Sequence, residues 1–124
     1  MGSFQLVFQG NPSFRGPHAD HSIAVAVVQT SDGVVVAQQT GTVSATADPA
    51  FSFTFTALLV TGVAYQVHYW IDSNFNGGTV GVCDPKAIDH QWNVAVAAVA
   101  GDVTITEAHN AGNTADVCPT FAAP

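Results

Sequence analysis

Polar and apolar positions alternate with a period of two along much of the chain. Phe4, Leu6 and Phe8 alternate with Gln5, Val7 and Gln9, and Phe51, Phe53 and Phe55 alternate with Ser52, Thr54 and Thr56. Successive side chains of a strand point to opposite faces, so each run predicts a strand with one bulky, buried face. Residues 22–30 (SIAVAVVQT) read as a second strand, Ser31-Asp32-Gly33 as a tight hairpin turn, and residues 34–39 as the returning strand. Residues 63–71 place Val63, Tyr65, Val67, Tyr69 and Ile71 on one face, and residues 93–99 and 103–106 supply two more strands, split by Gly101-Asp102. The stretch 11–20 (NPSFRGPHAD) holds two prolines and a glycine and predicts a loop. Residues 40–49 predict a crossing loop or a frayed edge, and residues 107–124 a loop or extended tail. No segment keeps a 3.6-residue period over three turns, so no helix is expected.

Seven short strands separated by turn signals predict an all-β fold, a single antiparallel Greek-key β-sandwich of immunoglobulin/fibronectin-like or transthyretin-like type. The run LVTGVAYQVHYWI at 59–71 resembles the L-x-x-G-x-x-Y-x-V signal of fibronectin-type, Cna-B-like and transthyretin-like sandwiches, and that resemblance speaks to fold alone. The 124 residues suffice for one domain over 4–124, with Met1-Gly2-Ser3 reading as an expression-vector start. No run approaches the roughly 18 apolar residues that a membrane span needs.

Charge narrows the partners. Two basic residues, Arg15 and Lys86, stand against nine acidic ones, a net charge of −7. With no basic patch to release counterions from phosphates, nucleic acid is excluded as a partner and an anionic membrane surface is disfavoured. Cations are the natural partners. The scarcity of Lys and Glu, together with just two cysteines, Cys83 and Cys118, points to a secreted, extracellular or periplasmic protein with one disulfide, two free thiols being the alternative.

The stretch 69–92, YWIDSNFNGGTVGVCDPKAIDHQW, concentrates the candidate chemistry. Asp72, Asn74 and Asn76, followed by Gly77, give D-x-N-x-N-G, the first half of a calcium loop in which alternate oxygen ligands converge as the backbone curls. The twelfth position from Asp72 is Cys83 rather than Glu, so this is no EF-hand; Asp84 or Asp89 would have to close the shell. Histidine offers a second kind of site. His18 and His21 stand in H-A-D-H, His90 follows Asp89, and His109 precedes Asn110. In a sandwich whose strands alternate up and down, a loop entering an even strand and the exit of an odd strand lie at the same end. His18, His90 and His109 are therefore expected to meet there, as ligands for copper(II) or zinc, with Asp89 orienting a ring. Proton competition for such a site is expected below about pH 6. The bland alternative is that each histidine is solvated or bonds a carbonyl, and mid-strand His68 is read that way.

The order P-H, D-x-N-x-N-G, C-D-P, D-H-x-W and G-D-V-T-I-T-x-x-H-N resembles a family of secreted bacterial β-sandwich domains. The resemblance implies a site in the loops at one end, marks His18, Asp72, Asn74, Asn76, Asp84, Asp89, His90, Trp92, His109 and Asn110, and names no reaction. This chain departs from the pattern in a longer loop after Gly77 and in its cysteines.

Catalytic motifs are missing: the sequence has no G-x-S-x-G, no H-E-x-x-H and no glycine-rich phosphate loop. A blue-copper site is disfavoured, since Cys118 has no close downstream His or Met. Asp84 and Asp89 read as capping or loop-ligating groups in preference to an acid–base pair. The leading expectation is a non-enzymatic, extracellular metal-binding module whose cofactor is calcium or a transition metal. Two alternatives stand beside it. A structural or adhesive subunit of a surface filament or array would self-associate and predicts a long apolar surface or a free edge strand. A carbohydrate-binding module using Trp70, Trp92, Tyr65 or Tyr69 requires two of those rings to be exposed and coplanar.

Overall fold

The computed structural model describes residues 3–72, 83, 89–109, 115 and 117–121. Strands β1 (Ser3–Gly10), β4 (Phe51–Val60) and β7 (Val103–Glu107) form one sheet in the order β4-β1-β7. Strands β2 (Ser22–Gln29), β3 (Val35–Thr42), β5 (Tyr65–Ile71) and β6 (His90–Val96) form the other, in the order β3-β2-β5-β6. The alternating residues do what their period demands. Leu6, Phe8, Phe51, Phe53 and Phe55 from the first sheet meet Ile23, Val25, Val27, Val67, Tyr69 and Ile71 from the second in one buried core. The described residues are mostly β, in two facing sheets, as the pattern predicts.

Several details differ from the sequence expectation. β7 runs parallel to β1, Gly10 lying opposite Glu107, so the fold is not purely antiparallel. Both are odd-numbered strands, and strict up-and-down alternation makes two odd neighbours parallel. The loop at 11–20 holds a 3-10 turn (Pro12–Phe14) and a single-turn helix α1 (Arg15–His18). Asn11 accepts a 3.0 Å hydrogen bond from the Ser13 N–H and Pro12 takes the first position, the arrangement that starts a helix. A second turn, α2 (Cys118–Phe121), lies in the tail. Neither is long enough to leave a periodic trace. β4 continues past Thr56 because Ala57 takes a left-handed conformation (φ 52°) and the register slips: Leu6 pairs with Phe55, but Phe4 with Leu59. Such a bulge breaks the alternation without ending the strand. Finally, β6 begins at His90, which pairs with Ile71, rather than at residue 93.

Val117 and Phe121 pack on the outer face of the four-stranded sheet. Ala24, Trp70 and Val117 are buried there, with Cys83 and Phe121 packed against them. Residues 23–28 of β2 are in consequence buried on both faces. The Cys83–Cys118 disulfide (Cα–Cα 5.4 Å) fastens the tail, and Gln91 holds it to β6: its Oε1 accepts from the Val117 N–H (2.8 Å) and the Cys118 N–H (3.2 Å). Among the described residues no helix is long and apolar enough to cross a membrane.

Candidate metal centre

Five strand ends gather at one end of the sandwich. Ile23, near the start of β2, lies opposite Ile71 at the end of β5, and Ile71 in turn lies opposite His90 at the start of β6. Gly10 and Glu107 end β1 and β7 side by side. The segment leaving β1 carries His18, β6 opens on His90, and His109 follows β7 by two residues. Topology alone brings the three histidines to one place, and short-range bonds then fix them. Asn11 N–H donates to Glu107 O (2.8 Å), and the Ser13 hydroxyl, itself bonded to Asn11 Oδ1, accepts from the His109 N–H (2.8 Å). The segment that bears His18 is thus also the anchor of His109.

Gly10 makes this docking possible. A Cβ there would lie 2.2 Å from the Phe51 ring and 2.9 Å from Phe14. Its absence lets Phe14 sink fully into the core, edge-on to Phe51 (5.0 Å), Trp92 (5.9 Å) and His109 (5.6 Å). Trp92 forms the floor beneath the cluster. Its ring lies edge-on to His18 (6.3 Å), His90 (5.5 Å) and His109 (5.8 Å) and stacks on Tyr69 at 4.8 Å. Below that, the Tyr69 hydroxyl donates to Glu107 Oε1 (3.0 Å). Burial, then the Glu107 charge and this hydrogen bond, push the phenol well above its ordinary value, so it stays neutral.

Nitrogen faces nitrogen above that floor. His90 Nδ1 lies 2.8 Å from His18 Nε2 and 3.1 Å from His109 Nε2, and one nitrogen from each of the three rings falls within 4.8 Å of the others. His18 is fully buried; His90 and His109 are half-buried. The three are held neutral. Burial first, and then the neighbouring His90, His109 and His21, lower the pKa of His18 from 6.5 to about 3. Burial and then His109 lower that of His90, and burial lowers that of His109. Three neutral imidazoles directed at one another are suited to an electrophile that accepts lone pairs.

His18, His90 and His109 meet as the strand count requires. Among the described residues they are the group of three or more ligating side chains that converges, and Asp72 and Asp89, though buried, lie outside it. Asn74, Asn76 and Asp84 lie outside the described residues. His68, on the outer face, bonds Thr120 and Gln66. The aromatic platform for a carbohydrate is not there: Tyr65, Tyr69, Trp70 and Trp92 are all buried, Trp70 the most accessible at 8%. Their positions on inward faces or under the tail consume the rings as packing. Sequence reading missed Phe14 and the Asn11–Ser13 anchor; the Asn-Pro pair ahead of Phe14 was the available signal. Comparison with known proteins finds no family model, no curated protein and no solved structure that matches this chain.

Proposed function

We propose that this protein is a non-enzymatic, extracellular or periplasmic module that binds one transition-metal ion, zinc or copper(II), through His18, His90 and His109. One observation carries the reading: His90 Nδ1 sits 2.8 Å and 3.1 Å from the facing nitrogens of His18 and His109. Ligands at about 2.0–2.1 Å from one ion are separated by about 2.9 Å at a right angle and about 3.3 Å at a tetrahedral one. The rings thus already stand close to the spacing that a shared ion would impose. Imidazole suits zinc and copper rather than calcium, and the neutral state of the cluster supplies the lone pairs. The Cys83–Cys118 disulfide supports an oxidising compartment, and the net charge of −7 favours a cation. Metal analysis and zinc titration of untagged, chelator-treated protein test the reading. One equivalent bound, and lost on replacing His90, is the expected result; no uptake overturns it. Calcium at Asp72, Asn74 and Asn76 is a separate proposal drawn from their spacing, and identical melting in millimolar calcium and in EDTA would remove it.

A second reading, self-association, draws on the β3 edge. β3 ends its sheet and carries no charged residue, and Val34, Val35 and Val36 are 52%, 39% and 37% exposed. Edge strands are usually blunted by charge or proline, and this one is not. Concentration-dependent sedimentation, abolished by Val35→Lys, supports that reading; a monomer at all concentrations excludes it.

A further inference from the structure

Resting on the metal reading above, we propose that His21 is a positioning residue of the centre: its Nδ1 accepts a hydrogen bond from His18 Nδ1–H and so presents His18 to the ion through Nε2. A neutral imidazole carries one N–H and one lone pair. His18 Nε2 faces His90, so it ligates only when its proton resides on Nδ1. That second nitrogen belongs to a fully buried ring and lies 3.2 Å from His21 Nδ1. The geometry assigns the proton to His18 Nδ1, the accepting lone pair to His21 Nδ1, and the remaining proton to His21 Nε2. His21 is not a fourth ligand in this arrangement, because its Nδ1 is committed to the nitrogen of His18 that faces away from the centre.

The backbone is built to hold this contact. His21 N–H donates to His18 O (3.0 Å), closing a turn at the end of α1. Val43 then brackets His21 on both sides: Asp20 N–H donates to Val43 O (2.8 Å) and Val43 N–H to His21 O (2.9 Å). Asp20 between them adopts a left-handed conformation (φ 66°), which a non-glycine residue keeps only where its surroundings fix it. The rings meet edge-on at 5.4 Å. Ligating histidines ordinarily donate their other N–H to a fixed acceptor, and here the acceptor is a second histidine on the same turn.

The test compares wild type, His21→Ala and His21→Asn, the last keeping an acceptor oxygen without adding charge. Zinc affinity is read by chelator competition, nitrogen ligation by the copper(II) paramagnetic resonance spectrum, and folding by the melting of metal-free protein. Loss of an outer hydrogen-bond partner predicts about 10–100-fold weaker zinc binding in His21→Ala, with most of it recovered in His21→Asn. The number of nitrogens on copper stays the same in all three. Affinity of His21→Ala within about threefold of wild type, well short of that loss, overturns the inference and leaves the metal reading standing. So does failure of His21→Asn to exceed His21→Ala in a folded protein. One nitrogen fewer on copper in the variants overturns it too, making His21 a ligand. A wild type that takes up neither zinc nor copper removes the centre and the inference with it.

Discussion

Two regions of this molecule bury histidine, and they solve the problem differently. On the outer face, His68 Nε2 lies 3.1 Å from Gln66 Oε1, which accepts, so Nδ1 receives the Thr120 hydroxyl at 2.6 Å. Burial lowers its pKa, and ordinary protein dipoles satisfy both nitrogens. At the sandwich end burial lowers the pKa again, but nitrogens of His18, His90 and His109 are turned toward one another. Gln66 and Thr120 hold the His68 nitrogens in donor and acceptor roles, whereas an imidazole lone pair that faces another imidazole can accept a proton or bind a transition-metal ion. Burial alone therefore does not mark a functional histidine. What marks it is whether its partners have fixed roles or lone pairs of their own.

The largest effect tests whether the two regions are independent. The disulfide closes a span of 35 residues and fastens the tail over His68. By loop-closure entropy, replacing Cys83 and Cys118 with serine lowers stability by about 3 to 4 kcal/mol. Urea unfolding measures that loss, and zinc affinity of the folded fraction should hold. If zinc binding disappears with the disulfide, the tail and the histidine end are one unit and the contrast fails.

Next in size is ligand removal. His90 Nδ1 is the nitrogen close to both of the others, so His90→Ala opens the centre of the cluster. Zinc affinity should fall by more than about 100-fold, beyond the loss expected for an outer partner. Calorimetric titration reads this directly. His90→Ala with wild-type affinity would place the ion elsewhere.

How much of this contrast could be read from the residues follows from the range of each interaction. The strands were legible because alternation such as Phe51, Phe53, Phe55 is imposed by the core itself. Convergence of His18, His90 and His109 was legible from strand parity, and that same parity explains the parallel β1–β7 pair that the antiparallel expectation overlooked. One-turn helices were not legible, since four residues such as Arg15–His18 span little more than a single period. Nor was the role of Phe14: it depends on the Cβ missing at Gly10 and on contacts with Phe51 and Trp92, distant in sequence. The Thr120 partner of His68 was equally out of reach, because it comes from a tail with no pattern of its own.

Acid separates the regions by degree. The His18 pKa of about 3 lies below the 6.5 of an exposed histidine, so between those values the unfolded chain binds more protons. Stability from this group is complete above about pH 6.5 and declines as pH falls, by up to about 1.4 kcal/mol per unit. His90, His109 and His68 shift in the same direction and add to the slope. Unfolding free energies at pH 7, 6 and 5 should therefore decrease in order, and His18→Gln should flatten the decline. An unchanged slope in that variant would assign the acid sensitivity to other groups.

The smallest expected effect is the most direct check on the contrast. His68→Ala removes the acceptor for the Thr120 hydroxyl and the donor to Gln66, yet Gln66 also accepts from Asn93 Nδ2 (3.3 Å). Both partners are half-buried, so water reaches the groups left behind. The loss should therefore sit near the net value of one hydrogen bond, about 1 kcal/mol, rather than the larger cost of a sealed, unsatisfied group. A double-mutant cycle with Thr120→Val isolates the shared part: if the 2.6 Å bond carries the effect, Thr120→Val adds little once His68 is gone. Zinc affinity should be unchanged, because His68 lies on the sheet's outer face and its nitrogens already have fixed roles. A shift in zinc binding on replacing His68 would show that the outer face and the histidine end are coupled through β5, whose Ile71 pairs with His90.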